Sequence, residues 1–566
     1  MNENVAAALA RIATDTGVPL NYDGSQLLVG GQAVPLPGDA GPELAGERAQ
    51  LLGIEGLLPT VPHGDDRDKL LWHVIAEAAP DIGEPLLNDF ELRETLASML
   101  PFNAEASRVA AEALCGRFFS SKSAAVMLPV HASLPLNYRH ARKVLTGKRA
   151  GETTDIGYTM FSGGILPYLL WDTTSGGPSV GTIQNMLDAV GGERELTVLD
   201  RRFLEIALAD APRPSAAPDA SELVREYKNE FKAEFASVGG PFCEPSLALF
   251  ARDLEVVLET ELPRPERIEW LTLVVSLHLA LRLYRVAVAL GGELDAVVAA
   301  AAQLPAPEGA RGCTCTGRDL EQLQECPLAG MVRFRTGSGH FRRVTGSDGC
   351  RVSYIELDRR RLLDLLPTLI TRNLAARAWS ALGGGDAAAR RDMRALTDAL
   401  DADADLRRMH GAACAAIAVL HHDACRKGNA TQDELFRAAR TSEMRPGVHA
   451  LREDVRRMRS RDLRRISTSV VNSLVFAGTV GRGSFVSRNG PNYGFFEVDE
   501  QLLLLLVRVV CGDRELPFET FLIELRAYGL APQDAAEEEA LADTLERLGL
   551  LDRYSDAGEA SFVHYA

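Results

Sequence analysis

Four cysteines fall within 38 residues: Cys313, Cys315, Cys326 and Cys350, spaced C-x-C-x10-C-x23-C. Thiolates are the ligands from which tetrahedral structural zinc sites are built. His340 lies between the last two cysteines. The insert around them is short and rich in glycine, so it has little apolar core. A structural zinc there would supply folding energy that packing does not. The spacing lacks the paired C-x-x-C knuckles of a zinc ribbon. Separate small apolar side chains are the competing account.

A second group is cationic. LREDVRRMRSRDLRRIS, Leu451 to Ser467, holds seven arginines between Arg452 and Arg465. On a helix, Arg457, Arg461 and Arg464 share one face, while Leu451, Val455, Met458 and Ile466 form an apolar stripe that must pack on a neighbour. From Arg437 to Arg488 there are twelve arginines, no lysine and four acids, a local net charge of +8 in a chain whose formal net charge is -17. The planar fork of arginine suits bidentate contact with phosphate. Downstream, GRGSFVSRNGPNYG places Arg482 and Arg488 beside Asn489, Asn492 and Tyr493 on a glycine-rich turn, a form suited to reaching a nucleic-acid backbone. The expected phosphate contacts are Arg452, Arg456, Arg457, Arg461, Arg464, Arg465, Arg482 and Arg488. Two other readings compete. The patch could dock an acidic protein. It could also pair with its own acids, Glu453 with Arg457 and Asp462 with Arg465. A smaller basic stretch, NYRHARKVLTGKR, runs from Asn137 to Arg149.

A third group is MHGAACAAIAVLHHDAC. His410, Cys414, His421 and Cys425 fall on one face of an alanine-rich helix. His410 and Cys425 would stand roughly 22 Å apart along it, so they cannot share one ion. Two half-sites completed by other segments are conceivable; partnered core histidines are the simpler account.

Catalytic signatures are missing. VLTGKRAG lacks the first glycine and the hydroxyl of a phosphate-binding loop, and neither G-x-G-x-x-G, H-E-x-x-H nor G-x-S-x-G occurs. The acidic runs DADAD (Asp401 to Asp405) and EVDE (Glu497 to Glu500) sit where helix starts place acids. An enzyme with dispersed catalytic residues, using the Gly/Ser-rich region 120–195, remains a third alternative.

The elements that must position these groups are mostly helices. The chain has 566 residues, 46% hydrophobic and 25% charged, as expected of several soluble domains. The most apolar window, Trp270 to Leu290, contains His278, Arg282 and Arg285, so a buried core helix explains it better than a bilayer does. MNENVAAALARIATDTG reads as an amphipathic helix and not as a secretory leader. With nine cysteines, an odd number, reduced thiols and a cytoplasmic location are expected. SQLLVGGQAVPL, Ser25 to Leu36, reads as a hairpin about Gly30-Gly31. The expected fold is mainly α and multidomain: a helical N-terminal region with a hairpin (1–120), a central helical domain (121–305), the Cys-rich insert (306–356), a helical region (357–445), and the arginine helix with a winged-helix-like module (446–566).

The tail carries a resemblance. In DTLERLGLLDRYSDAGEASFVHYA a helix ends in Leu-Gly-Leu-Leu-Asp and a short strand follows at Phe562-Val563. This resembles the tail of accessory proteins of bacterial phage-defence islands, such as the G component of the DNA phosphorothioation-dependent restriction system. The resemblance covers the C-terminal segment alone and carries no catalytic residue across. It implies a HerA/FtsK-like ATPase as partner. It also implies a multi-protein machine that restricts foreign DNA, with this chain as adaptor or DNA-engaging subunit. Two expectations follow: a non-enzymatic subunit that contacts double-stranded DNA through the arginine patch, or an assembly scaffold whose arginines meet an acidic partner.

Overall fold

The computed structural model describes residues 3–34, 36, 93–94, 97–98, 100–123, 126–129, 171–172, 177–179, 181–182, 185–186, 189, 243–307, 319–326, 332–336, 364–383, 393–440, 445–458, 486–488, 494–532, 534–554 and 560–565. Helix α1 (Glu3–Thr16) buries Val5, Ala8, Leu9 and Ile12, one face at three- and four-residue spacing. A three-stranded antiparallel sheet follows: β1 (Leu20–Tyr22), β2 (Leu27–Val29) and β3 (Gln32–Val34). Its β2–β3 turn is Gly30-Gly31, with φ of +58 and +87. A two-residue hairpin loop of this kind needs two left-handed residues, which is why two glycines mark it. The hairpin expected from the sequence is present. Helix α2 (Ala104–Phe118) runs into the antiparallel pair β4 (Phe119–Ser123) and β5 (Val126–Pro129), and a short pair joins β6 (Trp171–Asp172) to β7 (Gly177–Pro178).

The body consists of α3 (Glu244–Glu259), α4 (Arg264–Ala301), α5 (Glu321–Gln324), strand β8 (Val332–Thr336), α6 (Leu365–Ala381), α7 (Met393–Ala402), α8 (Ala404–Cys425), α9 (Gln432–Ala438) and α10 (Gly447–Met458). The 38 residues of α4 span roughly 57 Å. It lacks a polar face because α3, α6, α7 and α10 pack around it. The run Ala412 to His422 of α8 is buried on every side. Its alanines let α1, α6, α7, α9 and α10 approach the helix closely. The acidic runs act as caps. Asp403 accepts from the Asp405 and Leu406 amides at 2.9 and 3.0 Å to start α8. Thr431 and Glu434 form a reciprocal capping box on α9. Among the described residues no helix is long and apolar enough to cross a membrane.

Strands β9 (Val486–Arg488) and β10 (Gly494–Val498) lead to α11 (Glu500–Cys511), capped by Asp499. Then come β11 (Leu516–Pro517), α12 (Phe518–Ala527), β12 (Leu530–Pro532), α13 (Ala535–Arg547), β13 (Leu551–Tyr554) and β14 (Ala560–Val563). One sheet has the order β12-β8-β10-β9, with β8 parallel to both neighbours. A second, β11-β14-β13, is antiparallel, with Leu516 and Leu551 both opposite Val563. The order α11, β11, α12, β12, α13, β13, β14, with β14 pairing both β11 and β13, is similar to a winged-helix order with one extra strand, β12, between the second and third helices. The fold is mainly α-helical. Buried apolar side chains form one connected cluster from Val5 to Val563.

Candidate functional site

The arginine helix is α10. It buries Val448, Leu451 and Val455, as the apolar stripe requires, and packs on α8 and α6. Arg452 donates to Asp295 of α4 at 2.6 Å. Arg456 donates to Glu453 at 3.1 Å and also to Asp364, the residue before α6. These two arginines therefore fasten α10 to the body. Arg457 is exposed. Glu453 pairs with Arg456 at i+3 and not with Arg457 at i+4, because Arg456 lies between Glu453 and Asp364. Arg461, Arg464, Arg465 and Arg482 lie outside the described residues. Arg488 ends β9, opposite Gly494. The basic stretch 137–149 also lies outside the described residues.

The winged-helix module carries the opposite charge. Its last helix, α13, packs on β8, β12 and β13 and exposes Glu538, Glu539, Asp543, Glu546 and Arg547 on its other side. It holds Glu537, Glu538, Glu539, Asp543 and Glu546 against one cation, Arg547. Glu539, Asp543 and Glu546 are exposed and share one face. Arg553 of β13 pairs with Asp543 at 2.8 Å and Glu546 at 3.2 Å. Arg547 pairs with Glu500 at 2.8 Å.

Of the expected zinc ligands, Cys326 is buried just past α5, and Cys313, Cys315 and Cys350 lie outside the described residues. Among the described residues no three His, Cys, Asp or Glu groups come together to hold a metal. On α8, His410 donates through Nε2 to the Ala375 carbonyl at 2.9 Å. Burial lowers its pKa, and burial raises that of the Cys414 thiol. One turn from the end, His421 and His422 each donate through Nδ1 to Asp454 of α10, to Oδ2 and Oδ1, both at 2.7 Å. Cys425 Sγ lies 3.7 Å from His421 Nε2. That separation is near the roughly 3.6 Å between a nitrogen and a sulfur on tetrahedral zinc, but it supplies two ligands of four. Burial, the largest influence on His421, disfavours its cation. The hydrogen bonds to Asp454 and Cys425 and the Asp454 charge outweigh burial and push the pKa up to about 9.

One polar centre was not singled out from the sequence. Asp253 of α3 is fully buried and collects four hydrogen bonds. Oδ1 accepts from Arg252 Nε and Nη2 at 3.0 and 2.9 Å. Oδ2 accepts from His278 Nε2 at 2.9 Å and from the Tyr528 hydroxyl at 2.6 Å. Arg252 Nη2 also donates to the Tyr528 oxygen at 2.9 Å. Burial and then the Asp253 charge keep the Tyr528 phenol far above its ordinary range, so it remains a donor. The cluster joins α3, α4 and the residue after α12. Its sequence signal was present: His278, Arg282 and Arg285 recur at i, i+4 and i+7 in an apolar run, where ionisable side chains need partners. No protein-family model matches the chain, and no curated protein matches it.

Proposed function

We propose that the chain is a non-enzymatic adaptor whose winged-helix module and arginine helix dock protein partners in a multi-subunit assembly. The observation that carries this reading is the acidic outer face of α13. A helix with five acids and one arginine repels phosphates and does not enter a DNA groove. It suits a basic protein surface. The arginine helix, with Arg452 and Arg456 engaged by body acids, offers Arg457 to an acidic partner. The resemblance of the tail supports a HerA/FtsK-like ATPase as the partner of the acidic α13 face, and a cytoplasmic phage-defence assembly as the setting. The cysteine insert enters the proposal as a zinc-stabilised element. Metal analysis is expected to find about one equivalent, and less than a tenth of that would remove it.

A second reading has an observation of its own: exposed Arg457 lies within the segment from Arg437 to Arg488, whose local charge is +8. There the chain engages double-stranded DNA through phosphates. Fluorescence anisotropy with a labelled duplex, across salt concentrations, separates the two. The adaptor reading expects no binding at low salt. It also expects co-purification with the ATPase to be lost when Glu539, Asp543 and Glu546 become Lys. Micromolar binding would replace it with the DNA reading, provided the salt slope flattens by about 3 in Arg457→Glu/Arg461→Glu/Arg464→Glu.

A further inference from the structure

Helix α8 carries a histidine followed four residues later by a cysteine twice over, at His410 and Cys414 and again at His421 and Cys425. The two copies are placed differently. Cys414 is fully buried, and its Sγ lies 3.7 Å from His410 Nε2, the nitrogen already bonded to the Ala375 carbonyl. Burial pushes both of these groups toward their neutral forms. Cys425 is the last residue of α8 and is half-buried. Its Sγ lies 3.7 Å from His421 Nε2, and the other nitrogen of that ring, Nδ1, lies 2.7 Å from Asp454 Oδ2. His421 and Asp454 are each 3% exposed. Asp454 Oδ1 takes a second bond from His422 Nδ1 at 2.7 Å, so the carboxylate is held on both sides.

Sulfur, imidazole and carboxylate in this order are the parts of an activated thiol: a nucleophile, a proton acceptor in reach of it, and a group that orients the acceptor. Asp454 accepts the proton at Nδ1, which leaves Nε2 facing the sulfur. His421 keeps its charge up to about 9. A cation beside a sulfur favours the thiolate, which is the nucleophilic form. The end of a helix favours an imidazolium and opposes a thiolate, so an anion at Cys425 depends on His421.

We propose that Cys425 is a peroxide-reactive thiol, deprotonated by His421 and oxidised to a sulfenic acid by a hydroperoxide. The thiol proton passes to His421 Nε2. The sulfur attacks one oxygen of the hydroperoxide; an S–O bond forms, the O–O bond breaks, and the leaving oxygen takes that proton from Nε2. Cysteine is oxidised by two electrons, and the hydroperoxide is reduced to water or an alcohol. A hydroperoxide fits this pair because its leaving oxygen must be protonated and Nε2 holds a proton beside the sulfur. It is also small enough for a half-buried thiol. The site rests on neither docking surface of the preceding reading. Asp454 belongs to α10, so oxidation would occur at the joint between α8 and the helix that bears Arg457.

The test compares two reagents on the reduced, full-length, native protein at neutral pH. One is hydrogen peroxide, with dimedone present to trap sulfenic acid; the other is iodoacetamide. Peptide mass spectrometry gives the rate of each reaction at Cys425. Iodide leaves without a proton, so alkylation reports the thiolate alone, whereas oxidation also needs the donor. The ratio of oxidation to alkylation rates at Cys425 is expected to exceed that of N-acetylcysteine at least about tenfold. Cys414 should remain unmodified in the same samples. In His421→Gln the oxidation rate should fall at least about tenfold further than the alkylation rate. A histidine that only supports the helix end would change both rates by the same factor. Should His421→Gln not fold, the ratio in the parent protein decides, since it requires no variant. A ratio equal to that of N-acetylcysteine, the lack of a dimedone adduct at Cys425, or an equal fall of both rates in His421→Gln overturns the proposal.

Discussion

Gly447, the first residue of α10, lies so close to Gly411 of α8 that a Cβ added to it would stand 1.8 Å from the Gly411 carbonyl oxygen. It would also meet the Gly411 carbonyl carbon at 2.7 Å and the Ala415 nitrogen at 3.0 Å. All three are backbone atoms, so no side chain can yield. Gly447→Ala must therefore lift α10, and the arginines with it, from α8. A loss of about 3 kcal/mol is expected in urea unfolding. Gly411→Ala is the contrast. Its own Cβ would meet nothing within 4 Å, and inside a helix the change should stabilise by about 0.5–1 kcal/mol. Equal effects at both positions would show that the contact is misassigned.

Asp454 between two histidines gives stability a pH dependence of known sign. His421 is raised from 6.5 to about 9. Between those values the folded state holds a proton that the unfolded chain releases. The contribution is complete below about pH 6.5 and is lost as pH rises through 9; its size is about 3 kcal/mol. The Asp454 carboxyl is shifted the other way. Burial raises it, but the hydrogen bonds from His421 and His422 and their charges lower it on balance. Its contribution is present above about 3.8 and is lost as pH falls below that. Asp454→Asn should therefore cost about 3 kcal/mol at pH 6 and much less at pH 9. A deficit independent of pH over that range would mean that the pair is not ionised.

The arginines of α10 should divide into two kinds. Arg452 and Arg456 are 14% and 31% exposed and face acids of similar exposure. Replacing either with Met should cost about 1 kcal/mol, since pairs this wet are worth little more. Arg457→Glu, at an exposed position, should change stability by less than about 0.5 kcal/mol. If partner capture falls in Arg457→Glu at unchanged unfolding midpoint, binding and folding are separated within one helix turn. A large stability loss in that variant would instead make Arg457 structural.

Much of this fold was legible because local rules decide it. The Gly30-Gly31 hairpin, the capping acids Asp403 and Asp499, the stripe Leu451–Val455 and the terminal strand all follow from neighbours in sequence. The partners of the charged groups were not legible. Arg452 meets Asp295, 157 residues away, and Tyr528 meets Asp253, 275 residues away. Such pairings are set by helix packing, which periodicity does not specify. The acids of α13 were readable one by one. Their meaning depends on which face of α13 stays exposed, and that is set by its packing on β8, β12 and β13.

Tyr528 and Asp253 tie the C-terminal module to the body, and their coupling can be measured. The phenol donates to Asp253 Oδ2 at 2.6 Å and accepts from Arg252 at 2.9 Å. Tyr528→Phe keeps the ring and removes both bonds, a loss of about 2 kcal/mol. Asp253→Asn also strips the charge that Arg252 and His278 face, and about 3–5 kcal/mol is expected. Because the two groups share one hydrogen bond, the double variant should lose less than the sum, with an interaction energy of about 1–2 kcal/mol. The location of the loss is the sharper observation. Tyr528 follows α12, so Tyr528→Phe should speed amide exchange in α12 and its neighbour α11 before it does so in α8, which packs on α1, α6, α7, α9 and α10. If α8 and α12 accelerate together, module and body unfold as one unit, and the tie between them is a core contact like any other.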